Sequence, residues 1–148
     1  MEQQYRGILQ LIRSALTGEG GLLPAEFSLE QAVPLVRAHQ VSALVYEGAR
    51  LCGVGKDAGG MSLLFQDTCR QIMRSERQTR AVEQLRAGLD RAGAEYLFFK
   101  GVVLKGRYPK PEMRAMGDAD FLIHEAQYQA VDAVLREQGY ELKKTTKQ

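Results

Sequence analysis

YLFFKGVVLKGRYPKPEMRAMGDADFLI, residues 96–123, is the stretch whose reading decides the fold. Tyr96 to Phe99 is a short apolar run of strand character, halted by Lys100-Gly101. A brief apolar-basic segment follows, then a Pro-rich turn, Tyr108-Pro109-Lys110-Pro111. Arg114 and Gly117 lead into Asp118-Ala119-Asp120, and Phe121 to Ile123 reads as a second strand. Carboxylates at i and i+2 on extended backbone project to one face of a sheet. Like charges held that close repel each other unless a cation lies between them. A hard divalent ion such as Mg²⁺ takes oxygen ligands, commonly carboxylates together with substrate phosphates.

Working outward, residues 61–91 place Met61, Leu64, Phe65, Cys69, Ile72, Met73, Val82, Leu85 and Leu89 at helical spacing. The spacing predicts one long helix with a middle, Arg74 to Arg80, that is polar all round. Such a stretch either crosses solvent or is not packed along its whole length. Gly93 supplies its stop. Downstream, Glu125 to Gln138 reads as a helix with Tyr128, Val131, Val134 and Leu135 on its buried face and Gly139 at its end. Tyr140-Glu141-Leu142 has the composition to begin a third strand. Upstream, residues 3–16 form a helical stripe ended by Gly18, Gly20 and Gly21. Ser28 and Gln31 make a capping box. Pro34 implies a kink or an irregular first turn in the helix that follows. Two short helices break near His39-Gln40, and residues 53–60 are a Gly-rich loop.

The chain has 148 residues, 45% of them apolar and 26% charged, which is globular composition. That length predicts a single domain with an N-terminal helical region, 1–60, and an α/β core, 61–148. The expected class is α+β, with the helical region packed on a small mixed sheet of two or three strands from residues 96–142. A net charge of +2 is too small to argue for nucleic-acid binding by itself. Cys52 and Cys69 lack metal-ligand spacing and read as reduced thiols of a cytoplasmic protein. MEQQYRG lacks the basic-then-apolar pattern of a signal peptide, and no apolar run approaches the ~20 residues a membrane span needs. His39 reads as structural at a helix break, and His124 as preceding or capping the helix at Glu125.

Taken alone, Asp118 and Asp120 read more readily as a solvated acidic turn before an edge strand than as metal ligands, and Gly101 as an ordinary turn glycine. The ordered set is more specific. Lys100-Gly101 after a strand, Tyr108-Pro109, Arg114, and Asp118-Ala119-Asp120 running into Phe121-Leu122-Ile123 resembles the bacterial family of uncharacterised nucleotidyltransferases, within the DNA polymerase β-like superfamily. The resemblance extends from about Leu63 to Tyr140. It implies a Mg²⁺-dependent transferase that moves a nucleotide from an NTP to an acceptor, whether small molecule, protein or nucleic acid. Asp118 and Asp120 would be its catalytic residues and metal ligands in a two-ion site, and Lys100, Gly101 and Arg114 would bind the nucleotide phosphates. Lys105, Arg107 and Lys110 are expected to be solvated.

The sequence departs from the superfamily at two points. Where the superfamily has Gly-Ser, this chain has Lys-Gly-Val, so a lysine point charge would replace a hydroxyl contact. The third carboxylate of the superfamily lies on a later strand, and only Glu141 stands near such a position. The chain is therefore expected to be an N-terminal part or a truncated member. The competing reading is a non-catalytic nucleotide-binding or protein-assembly module with a degenerate core. An apolar stripe on the long helix and an open sheet edge predict a dimer or larger assembly.

Overall fold

The computed structural model describes residues 2–143. Helix α1 (Glu2–Thr17) places Ile8, Leu11 and Ala15 on one face and buries all of them. Helices α2 (Leu29–Ala38) and α3 (Ser42–Leu51) are separated at Gln40, whose φ of 56° is left-handed. Helix α2 runs through Pro34. Its N-cap Ser28 accepts the Gln31 N–H at 3.4 Å. The other half of the expected capping box comes from α1 instead, because the Ser28 N–H donates to the Gln4 side-chain amide at 3.3 Å. Helices α1 and α3 approach backbone to backbone at Gly48, where an added Cβ would lie 1.9 Å from the Leu11 carbonyl oxygen.

Helix α4 (Met61–Arg91) has the limits that the apolar spacing predicts. It is 31 residues long, roughly 46 Å at ~1.5 Å per residue. Its first turns, through Met61 and Leu64, complete an apolar cluster with Ile8, Leu11, Val33 and Val45. Its last turns, through Leu85 and Leu89, complete a second cluster with Phe98, Val131 and Val134. The chain leaves it through Gly93, at φ 64°, where the Ala94 N–H reaches back to the Leu89 carbonyl.

Strands β1 (Tyr96–Phe99) and β2 (Asp120–Ile123) pair antiparallel, with Tyr96 opposite Ile123 and Phe99 opposite Asp120. Among the described residues the sheet has these two strands and is not mixed. No third strand forms at 140–142, because the Tyr140 N–H is taken by the Leu135 carbonyl as helix α6 (Tyr128–Glu137) closes at Gly139. One sheet face packs Phe98 and Phe121 against α4 and α6, while Leu97 and Leu122 on the other face are exposed. The architecture is α+β, a helical N-terminal region followed by a small sheet. No helix among the described residues is long and apolar enough to cross a membrane.

The polar middle of α4 is tied down by hydrogen bonds. Gln71 donates to the Glu112 carbonyl and Gln78 to the Met116 carbonyl. Lys105, expected to be solvated, is buried: its ammonium donates to the Ser75 carbonyl at 3.1 Å and to Thr79 Oγ1 at 2.9 Å. Burial pushes the Lys105 pKa down, against the pull of Glu76 and Glu112. Tyr108 and Met113 pack against Ala15 and Leu44, and Lys110 pairs with Glu47 at 2.9 Å. The Tyr-Pro segment therefore clasps the sheet region to the N-terminal helices.

Candidate functional site

The site grows from the end of β1. Phe98 is drawn into the core, so the strand is anchored up to the residue before the turn. The chain reverses at Lys100, with φ 50° and ψ −121°, the backbone of the first central residue of a type II′ turn, a position that favours glycine. Helix α5 (Gly101–Leu104) follows as a single turn and tightens into a 3-10 turn over Lys105–Arg107. One turn carries little macrodipole, so the anion attraction expected of a longer helix falls to individual N–H groups and to the Lys100 ammonium.

Gly101 is buried beneath the segment that leads to β2. A Cβ there would stand 2.8 Å from Met116 Cγ and 3.8 Å from the Asp118 carbonyl oxygen. The absence of a side chain brings the acidic segment against the turn. Asp120 opens β2 opposite Phe99, and its carboxylate lies 3.4 Å from the Lys100 ammonium. Asp118 is exposed and precedes the ladder, so the sheet itself does not fix the expected common face of the two carboxylates. Lys100, Gly101, Asp118 and Asp120 are thus gathered at one end of the sheet.

Arg114 follows a 3-10 turn, Pro111–Met113, and with Met116 lines a cleft of about 590 Å³ against the middle of α4. Its Nε is buried and has no hydrogen-bond partner among the described residues. The other cations divide by environment: Arg107 is exposed, Lys110 is held by Glu47, and Lys105 is buried. His39 caps the end of α2, and His124 meets Glu95 at 3.0 Å on the surface.

Sequence reasoning missed the rest of that cleft. Arg37, Arg70, Arg74 and Arg77 line it together with Arg114. Asp67 stands between Arg37, 2.7 Å away, and Arg70, and also accepts from Ser42 at 3.3 Å. Burial alone would raise the Asp67 pKa, but the hydrogen bonds and charges of these arginines outweigh it and hold the carboxyl below its ordinary range. The available signal was the spacing 70, 74, 77, which is one face of a helix.

Among the described residues no group of three or more His, Cys, Asp and Glu side chains is arranged to hold a metal ion. The chemistry of the Asp118–Asp120 pair nevertheless fits a hard cation whose remaining oxygen ligands come from a phosphate chain and water. The Lys100 ammonium already stands beside Asp120 as a cation would.

No curated protein and no solved structure matches the chain. A family model, described as uncharacterised nucleotidyltransferase, matches residues 25–148. That match takes in the glycine turn, both strands and most of the helical region, and the protein belongs to the uncharacterised nucleotidyltransferase family.

Proposed function

We propose that the chain is a Mg²⁺-dependent nucleotidyltransferase domain whose substrate is an NTP. The observation that carries this reading is the apposition of the Lys100-Gly101 turn with the segment bearing Asp118 and Asp120. A cation, a backbone without a side chain and two carboxylates meet at one strand end. Asp118 and Asp120 would hold Mg²⁺, which when bound supplies charge neutralisation on the phosphates and alignment of the acceptor oxygen. Gly101 lets the acidic segment close on the turn, and Lys100 would donate to phosphate oxygens as a point charge. In the reaction an acceptor oxygen forms a bond to the α-phosphorus while the bond from that phosphorus to the bridging oxygen breaks. Pyrophosphate leaves with the electron pair, and the acceptor proton passes to a base.

The ion pair between Lys100 and Asp120 favours a second reading, a module that binds nucleotide without transferring it. There the lysine partly neutralises the carboxylate and no catalytic ion is needed.

Calorimetry with Mg²⁺-ATP on the wild type and on the folded double variant Asp118→Asn/Asp120→Asn tests the proposal. Amides keep the shape and remove the charge, so metal-dependent binding should be abolished. Unchanged affinity would refute the site, and binding without pyrophosphate release would favour the second reading.

A further inference from the structure

Like charges gather at a second place in this molecule, with the opposite sign. The cleft beside α4 is lined by Arg37, Arg70, Arg74, Arg77 and Arg114, and Asp67 is the one carboxylate among its lining residues. Asp67 is consumed by Arg37, which meets it through Nε and a terminal nitrogen at 2.7 and 3.2 Å, and by Arg70. Among the described residues Arg74, Arg77 and Arg114 make no ion pair. Guanidinium groups that share a concave surface without counter-charge repel one another, and an anion between them converts that repulsion into attraction. The buried, unpartnered Nε of Arg114 is a second sign, since a buried donor without an acceptor is costly unless a ligand or water meets it.

We infer that this cleft is a phosphate-binding site separate from the turn at Lys100, and that it takes a phosphate-bearing small molecule. A planar, forked donor is the side chain suited to a phosphate group. The volume, about 590 Å³, is that of a pocket for a small molecule. Gln40, Gln71 and Gln78 also line it as neutral polar groups, the amide nitrogens of Gln71 and Gln78 already donating to the Glu112 and Met116 carbonyls. A nucleic acid would call for a basic stripe running beyond the pocket, and the chain's net charge is only +2. The cleft is continuous through Met116 with the segment that carries Asp118 and Asp120, so its occupant lies beside the proposed nucleotide site. Binding in the cleft does not depend on the proposed transferase function.

The test uses inorganic pyrophosphate without Mg²⁺ as the probe, measured by calorimetry on the full chain. The variants are Arg74→Gln/Arg77→Gln, two exposed positions whose replacement leaves the core intact, and separately Asp118→Asn/Asp120→Asn. The expected result is binding by the wild type, at least a tenfold loss in the arginine variant, and no loss in the aspartate variant. Equal affinity in the arginine variant and the wild type would overturn the inference, as would no detectable pyrophosphate binding by the wild type. A single-stranded oligonucleotide that binds more tightly than pyrophosphate and loses affinity in the same arginine variant would overturn the assignment to a small molecule. Mg²⁺-ATP binding reads out the nucleotide site on its own. If it survives in the aspartate variant and falls in the arginine variant, the cleft holds the triphosphate itself, and the proposal for Asp118 and Asp120 fails while the phosphate site stands.

Discussion

Replacing Lys100 by glycine should stabilise the fold relative to alanine while either change weakens nucleotide binding. The residue sits at φ 50°, ψ −121°, where a side chain is strained. Holding a non-glycine residue in such a region costs ~1–3 kcal/mol. Glycine removes that strain but loses more conformational freedom on folding, ~0.5–1 kcal/mol. Both variants also lose the ion pair to Asp120, whose partners are 64% and 27% exposed. Such an exposed pair contributes only ~0–1 kcal/mol, and the loss cancels in the comparison. At mid-range glycine should therefore exceed alanine by about 1 kcal/mol, which is roughly 2–4 °C in Tm for a domain of this size. Differential scanning calorimetry on the two variants measures the difference. Loss of the ammonium removes a charged hydrogen bond to phosphate, ~1.5–3 kcal/mol, so Mg²⁺-ATP affinity should fall by roughly tenfold to a hundredfold in both variants. An alanine variant as stable as the glycine variant would refute the strain argument. Undiminished affinity in both would remove Lys100 from the nucleotide site.

Three further outcomes are expected. Gly48→Ala should lower Tm although alanine is the better helix former by ~1 kcal/mol, because its Cβ would stand 1.9 Å from the Leu11 carbonyl oxygen and α1 and α3 must separate; Gly55→Ala, with nothing within 4 Å, should not lower it, and thermal melts of both check the sign. The folded pKa of Asp67 lies below its ordinary value of 3.8, so its stabilising contribution is complete above that pH and is lost as pH falls through the folded value. Urea titrations between neutral pH and pH 3 should show a shallower acid loss of stability in Asp67→Asn than in the wild type, and parallel curves would contradict the assignment. Tyr108→Ala opens the contact with Ala15 and Leu44 and should destabilise by ~1–3 kcal/mol, read as a lower urea midpoint.

The limits of α4 were legible because apolar spacing and the glycine stop agree, and Gly93 does take the left-handed conformation that a stop requires. The same holds for β1 and for the start of the turn at Lys100-Gly101. Asp118 was harder, since a strand pattern does not say where pairing begins, and the ladder starts at Asp120. Lys105 was misread for a different reason. Five cations between Lys100 and Arg114 give density but not direction, and only the placement of the 105–107 turn beside α4 decides which stem is buried. The arginine cleft was least legible. Its members come from α2, from α4 and from the loop at Arg114, and no local pattern relates positions 37 and 114. Its one trace in the sequence is the stretch from Arg74 to Arg80, polar all round, which reads as either crossing solvent or not packed along its whole length.

Helix α4 is held by apolar contacts at its two ends, and between them by hydrogen bonds to the 105–116 segment and by the Asp67 contacts with Arg37 and Ser42. Mechanically it is a beam clamped at both ends, and a beam bends where its side support is weakest. Arg70, Arg74 and Arg77 are mounted on that span while Arg114 is mounted on the facing loop. The width of the cleft is therefore set by the straightness of the helix. A ligand in the inferred phosphate site would load the beam, and the hydrogen bond from Gln78 to the Met116 carbonyl would join that span to the segment carrying Asp118.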